Sequence, residues 1–212
     1  MPVNITVCID VECTCDSPLQ IHPMEIIELA CVKKELIPIE CESKDAAQTY
    51  SLFHSYVRPE VNPELTLFCQ ELTGIMQSTV DNAETIDKVT SKLLQWLKDE
   101  NLVDDKYRKS KNFAFASCGN FDLKILTPPV QDNHFRSNSE LPIYFKEWIN
   151  VKKIFVNHKR EWPRSLYHMT ELLGIEPSGR LHSAKDDCLN LAKVVESLHK
   201  EGCELHVTNR IQ

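Results

Sequence analysis

After two residues the chain runs V-N-I-T-V-C-I-D-V-E-C-T-C, residues 3–15. Residues 3–10 are apolar and β-branched, which predicts a strand that ends at acidic residues. Side chains two apart on a strand share a side, so Asp10 and Glu12 project together. Two carboxylates facing together repel unless cations lie between them. Paired hard oxygen donors suit Mg²⁺ or Mn²⁺. Taken alone, D-x-E is common, and a polar strand end accounts for it equally well.

Outward from this stretch, residues 24–38 are rich in Ile, Leu and Val, and residues 49–59 are β-branched and aromatic. Both predict strands, and three strands in close succession imply an antiparallel meander. The period then changes. Across residues 81–100, Ile86, Val89, Leu93, Leu94 and Leu97 recur at three- and four-residue steps, the mark of an amphipathic helix. Residues 112–118 read as a short buried strand. Residues 141–158 are mixed and predict a helix and then a short strand. Residues 165–173 predict a helix stopped by Gly174.

The clearest helix spans residues 182–200. Its apolar stripe is Cys188, Leu191, Ala192, Val195 and Leu198, with Ser183 as N-cap and Asp186 and Asp187 near the positive end of its dipole. The fold class is therefore α/β, a central mixed sheet of an antiparallel meander followed by parallel strands and flanked by helices. A length of 212 residues predicts a single domain over 1–212. The basic loop 106–111 reads as a solvated stretch.

Composition is that of an ordinary globular chain, 42% hydrophobic and 26% charged, with net charge −7. That charge argues against a protein that coats nucleic acid by electrostatics alone. It leaves room for an acidic site whose bound cations invert the local charge. The nine cysteines are scattered without a C-x-x-C pair, which excludes zinc knuckles and redox motifs and predicts reduced thiols. No stretch reaches the roughly 20 apolar residues of a membrane span. The expected location is the cytoplasm, and the nucleus as well.

Two further elements carry chemistry. Asp122, in S-C-G-N-F-D-L, follows the buried strand 112–118, where α/β sheets place their ligands. His182 and Asp187, in R-L-H-S-A-K-D-D, stand five apart, so the His lies in the loop before the last helix and the Asp in its first turns. An imidazole ordinarily titrates at about 6.5, which suits proton abstraction at neutral pH. Each element has a bland explanation. Four acids and a His in this order, however, form the inventory for two-metal phosphodiester hydrolysis.

At this point the chain resembles the DEDDh exonucleases of the ribonuclease H-like (DnaQ-like) superfamily. The resemblance sharpens over D-V-E-C-T-C, Y-V-R-P-E-V-N, F-C-Q-E-L-T-G-I, K-E-W-I-N, P-R-S, G-R-L-H-S-A-K-D-D and E-G-C-E-L, which occur in order along nearly the whole chain. These are similar to the 3′ histone-mRNA exonuclease and enhanced-RNAi family. The resemblance implies a ribonuclease H-like fold and a 3′→5′ exoribonuclease that releases nucleoside 5′-monophosphates from single-stranded RNA 3′ ends. It implies two Mg²⁺ or Mn²⁺ ions held by Asp10, Glu12, Asp122 and Asp187, with His182 as general base. It also implies a pocket for the terminal nucleotide lined by Cys13, Thr14, Leu72, Thr73 and Gly74.

Phe121 stands where relatives often carry Trp, and stacking on a base would contribute roughly 1–3 kcal/mol. Among the basic residues Lys152, Lys153, Lys159, Arg160 and Arg164, the family-like P-R-S favours Arg164 as a phosphate contact. Ala184 replaces a frequent Gly. The N-terminal nucleic-acid-binding module of some relatives has no counterpart here, so stem-loop recognition is not expected. Protein partners are not legible. Two other readings stay open: a 3′→5′ exonuclease on DNA or on both nucleic acids, and a non-catalytic RNA-end-binding protein. Discrimination of RNA needs a contact to the 2′-hydroxyl, which sequence does not show.

Overall fold

A computed structural model describes residues 1–36, 50–127 and 141–211. Its centre is β1 (Ile5–Cys13), hydrogen-bonded on both sides. β2 (Ile26–Glu35) and β3 (Ser51–Tyr56) form the expected antiparallel meander with it. The helices α1 (Leu67–Thr73), α2 (Gln77–Asp81) and α3 (Ile86–Asp99) follow. β4 (Phe113–Ser117) returns parallel to β1, and α4 (Phe121–Leu126) leaves its end. A 3-10 turn at Ile143–Lys146 leads into β5 (Glu147–Asn150), parallel to β4. The helices α5 (Val151–Lys159), α6 (Leu166–Leu172) and α7 (Ala184–Lys200) precede a short antiparallel β6 (Asn209–Arg210). Sheet order is β3-β2-β1-β4-β5-β6.

Alternation along β1 builds two cores. Ile5, Val7, Ile9, Val11 and Cys13 face one side, against Val89, Leu93 and Leu97 of α3 and the aromatic group Phe113, Phe115, Tyr144 and Phe145. Each fully buried aliphatic side chain contributes roughly 1.5–3 kcal/mol. Cys8 faces the other side, with Ala30, Ala114 and Ala116, against Cys188, Leu191 and Val195 of α7. These small sheet residues let α7 sit close to the backbone: Cys188 Sγ donates to Ala30 O at 3.1 Å. Asp10 and Glu12 are even-numbered like Cys8, so they share the face that α7 covers.

Several expectations need correction. β1 continues through Glu12 to Cys13, because Asp10 and Glu12 pair with Ala30 and Glu28 of β2. The helix expected from residue 81 begins at Ile86; Asp81 closes α2 instead. In residues 141–158 the strand lies between a 3-10 turn and a helix, since Asn150 ends β5 and its side chain caps α5 at Lys153 N. The basic loop is largely exposed but not merely solvated: Lys109 Nζ lies over the Phe113 ring, 5.0 Å from its centroid, and Arg108 pairs with Asp104. Residues 37–38 and 49 of the expected strands lie outside the described residues. Among those described, no helix is long and apolar enough to cross a membrane.

The close approach of α7 depends on alanine at the sheet surface. Ala116→Leu should lower stability by about 1–3 kcal/mol through overpacking. A urea midpoint equal to that of the unsubstituted protein would show that the interface has slack.

Candidate active site

Three elements converge at one end of the sheet. β1 supplies Asp10 and Glu12, two residues apart on one face. The first turn of α7 supplies Asp187. Ligand oxygens from these three lie within 4.8 Å of one another. Asp122, in the first turn of α4, is buried beside them, and Ser117 Oγ donates to its Oδ2. The β4–α4 loop is held from β5: Trp148 Nε1 donates to Gly119 O at 3.1 Å, and Asn150 Nδ2 to Asn120 Oδ1 at 2.8 Å.

The electrostatics of this cluster are unfavourable as it stands. Burial, then Asp122, Glu12, Asp187 and Glu28, hold the Asp10 carboxyl well above the usual range. Burial, then Asp187 and Glu28, push Glu12 up to about 8. Burial raises Asp122 against the hydrogen bond from Ser117, and raises Asp187 against its neighbours Tyr167 and His182. Asp187 Oδ1 is buried without a hydrogen-bond partner; the Tyr167 hydroxyl approaches without reaching bonding geometry. A buried carboxylate oxygen left bare among other carboxylates fits a hard divalent cation, so this donor set can hold one.

His182 occupies the left-handed region at φ 60°. That conformation is uncommon outside glycine, though Asn101, Tyr107 and Arg160 adopt it too. Among the described residues its ring has no hydrogen-bond partner, and it stands two residues before α7, beside Asp187. The expected N-cap bond of Ser183 is absent. Glu28 Oε2 instead accepts the Ala184 N–H at 3.0 Å. Sequence reasoning missed Glu28; its signal was a lone acid inside the apolar run I-I-E-L-A-C-V.

The residues expected to meet a nucleotide are distributed as follows. Cys13 ends β1, and its carbonyl accepts from Cys69 Sγ of α1 at 3.6 Å, which sets α1 against the strand. Thr14 is buried, with its Oγ1 accepting the Glu25 N–H. Thr73 is buried too, its Oγ1 donating to Cys69 O. Leu72 is partly exposed and Phe121 is exposed. Gly74, at φ 74°, closes α1, and a Cβ there would run into the Arg180 guanidinium. Arg180 Nη2 donates to Glu71 O at 2.7 Å and its charge draws Glu12 down, so this second unforeseen residue ties α1 to the His182 loop. Arg164 is exposed before α6, its carbonyl accepting from Lys152 Nζ at 3.0 Å. No distance places Arg164 beside the carboxylates.

Fold and site together combine a ribonuclease H-like architecture with an acidic cluster able to hold divalent metal. The chain belongs to the RNase_T exonuclease family, whose model matches residues 7–195. ERI1 exoribonuclease 3 of Mus musculus is 39% identical over 197 residues, 92% of this chain and 53% of that protein. The chain spans about half the length of the curated relatives it matches first. Among solved structures, the nuclease domain of 3'hExo, a DEDDh family member bound to rAMP, superposes with TM-score 0.81 at 29% identity, covering 99% of this chain and 98% of that one. A 3′-exonuclease described in 3′-end specific recognition of a histone mRNA stem-loop has TM-score 0.82 at 28% identity, covering 99% of this chain and 68% of that one.

The raised carboxyls have a direct consequence for stability. Glu12 takes a proton more readily in the folded chain than in the unfolded one, where carboxyls titrate at about 4.3. Metal-free protein should therefore lose stability as pH rises from about 4.5 to about 8. Mg²⁺ or Mn²⁺ should raise Tm, and by more at pH 8 than at pH 5, because ions and protons compete for the same oxygens. Melting curves across that range check this; a metal-independent Tm at pH 8 contradicts it.

Proposed function

We propose that the chain is a 3′→5′ exoribonuclease that removes nucleoside 5′-monophosphates from single-stranded RNA 3′ ends. The observation that carries this reading is the convergence of the Asp10, Glu12 and Asp187 carboxylates beside an unpartnered His182. Relatives named as exoribonucleases, and a solved relative with rAMP bound, support RNA as the substrate.

In this reading Asp10, Glu12, Asp122 and Asp187 hold two divalent ions, Mg²⁺ or Mn²⁺. Those ions supply Lewis acidity toward the attacking water and the leaving 3′ oxygen. His182 Nδ1 or Nε2 takes the proton from the water that attacks the last phosphodiester. The phosphate stays with the released nucleotide, and the new RNA end receives a proton on its 3′ oxygen. Cys13, Thr14, Leu72, Thr73 and Gly74 frame the terminal nucleoside. Phe121 offers a ring face to a base, and Arg164 contacts phosphate along the strand.

Asp10→Ala and His182→Ala should each lower hydrolysis of a 5′-labelled RNA by at least about 100-fold, the scale of a general base, with folding retained by circular dichroism. Excess EDTA should stop the reaction, and Mg²⁺ or Mn²⁺ should restore it. Matched RNA and DNA, each with a free or blocked 3′ end, read polarity and sugar preference on one gel. Equal rates on DNA would replace the RNA reading with a general exonuclease. Wild-type rates for both variants would overturn the assigned mechanism, whereas an unsubstituted protein that binds RNA ends without cleaving them would leave the non-catalytic reading.

A further inference from the structure

Glu28 is a buried acid near the site whose two oxygens are both already hydrogen-bonded. It lies in β2 directly opposite Glu12 and, on its other side, opposite Tyr56 of β3. Like charges placed opposite on neighbouring strands destabilise a sheet. The pairing is kept, and the partners of Glu28 show what it supplies. His54 Nε2 donates to Oε1 at 2.7 Å. The Ala184 N–H donates to Oε2 at 3.0 Å. His54 is itself braced edge-on by Tyr56, with ring centroids 5.0 Å apart.

Ala184 is the first residue of the 17-residue helix α7. A helix start leaves its first N–H groups without intrahelical partners, and the residue at the cap normally supplies one acceptor. Ser183 makes no such bond. The acceptor comes from another strand, as a carboxylate at the positive end of the helix dipole. His182 stands two residues before that bond and Asp187 three after it. Asp187 N in turn donates to Ser183 O at 2.8 Å, which closes the same turn. Glu28 is absent from the group of converging ligands formed by Asp10, Glu12 and Asp187.

We propose that Glu28, held by His54, is a positioning residue: it seats the first turn of α7 on β2 so that His182 and Asp187 face Asp10 and Glu12. The inference rests on the nuclease reading for its kinetic consequence, but the seat itself is measurable without activity. Groups that orient a metal site from outside it typically change activity by about 10- to 100-fold when removed.

The test compares Glu28→Ala and Glu28→Gln in the full chain. Glutamine keeps an acceptor for Ala184 and a polar group for His54; alanine keeps neither. With saturating Mn²⁺ and a 5′-labelled RNA, Glu28→Ala should lower kcat by about 10- to 100-fold with KM changed by less than about 3-fold. Glu28→Gln should recover kcat to within about 5-fold of the parent. In metal-free protein, hydrogen exchange at the amides of residues 184–187 should accelerate at least about 10-fold in Glu28→Ala and stay near parental in Glu28→Gln. Three outcomes overturn the proposal: parental kcat in the alanine variant, a lost kcat with unchanged exchange, or a glutamine variant as impaired as alanine. If Glu28→Ala does not fold, His54→Ala carries the test, with the same direction at smaller amplitude; unchanged kcat and exchange there also overturn it. Failure of the nuclease reading appears separately, as an inactive parent protein or an active Asp10→Ala.

Discussion

Carboxylates crowd the end of β1, and their mutual repulsion is the constraint that the surrounding elements must hold in place. Asp10, Glu12, Asp122 and Asp187 all have raised pKa values, each first through burial. An isolated buried carboxylate neutralises itself by taking a proton. Here burial raises several carboxyls together, and the oxygens of Asp10, Glu12 and Asp187 remain aimed at a common volume. The arrangement is unfavourable without cations and favourable with them, which is how a metal site stores its affinity in the fold. The four site acids add to the net charge of −7, and bound cations would invert that charge locally.

Holding such a cluster in place requires rigid elements on every side. β1 is the central strand, with hydrogen bonds to β2 and β4. Its odd residues are locked into one core and Cys8 into the other, so neither rotation nor a one-residue slip is tolerated. α7 is pinned by the small residues beneath it and by the Cys188 thiol bonded to strand carbonyls. Two of the four acids thus sit on a strand that cannot slide, and a third on a helix that cannot lift. The fourth, Asp122, is steadied by Ser117 at the end of β4. Of the non-glycine residues with positive φ, Asn101, Tyr107, Arg160 and His182, only His182 adjoins the acidic cluster.

What the sequence made legible follows from which interactions are local. Asp10 and Glu12 were readable because strand periodicity is two, and α7 because Cys188, Leu191, Val195 and Leu198 repeat at helical steps. Their convergence was not readable from either pattern. It depends on parallel pairing of β1 with β4 and on packing between residues more than 150 positions apart, which order and family likeness implied but periodicity did not. β5 was misplaced because E-W-I-N is only four residues long and is flanked by residues with helical patterning. α1 was overlooked although Thr66, whose side chain accepts from Cys69 N, and Gly74 mark its ends. Ser183 was credited with a cap because local rules favour it; the actual acceptor is Glu28, 156 residues away. A polar residue in the middle of an apolar strand signals a tertiary partner but does not name it.

The same long-range logic explains why a glycine stands at 74. Its positive φ ends α1, a role that Asn also fills in many helices. The surrounding space is more restrictive than the dihedral. Any side chain would meet the Arg180 guanidinium, which needs that gap to reach the Glu71 carbonyl. Arg180 is fixed at its other end too, where its N–H donates to Asp186 Oδ2 at 2.8 Å in the first turn of α7. Gly179 is required for the same approach, since a Cβ there would strike the Asp186 carboxylate. One arginine therefore links α1 to the helix that bears Asp187, across the loop that bears His182. Glu28 makes the corresponding link from β2. Between these two ties the His182 turn has fixed ends, and among the described residues its imidazole has no hydrogen-bond partner.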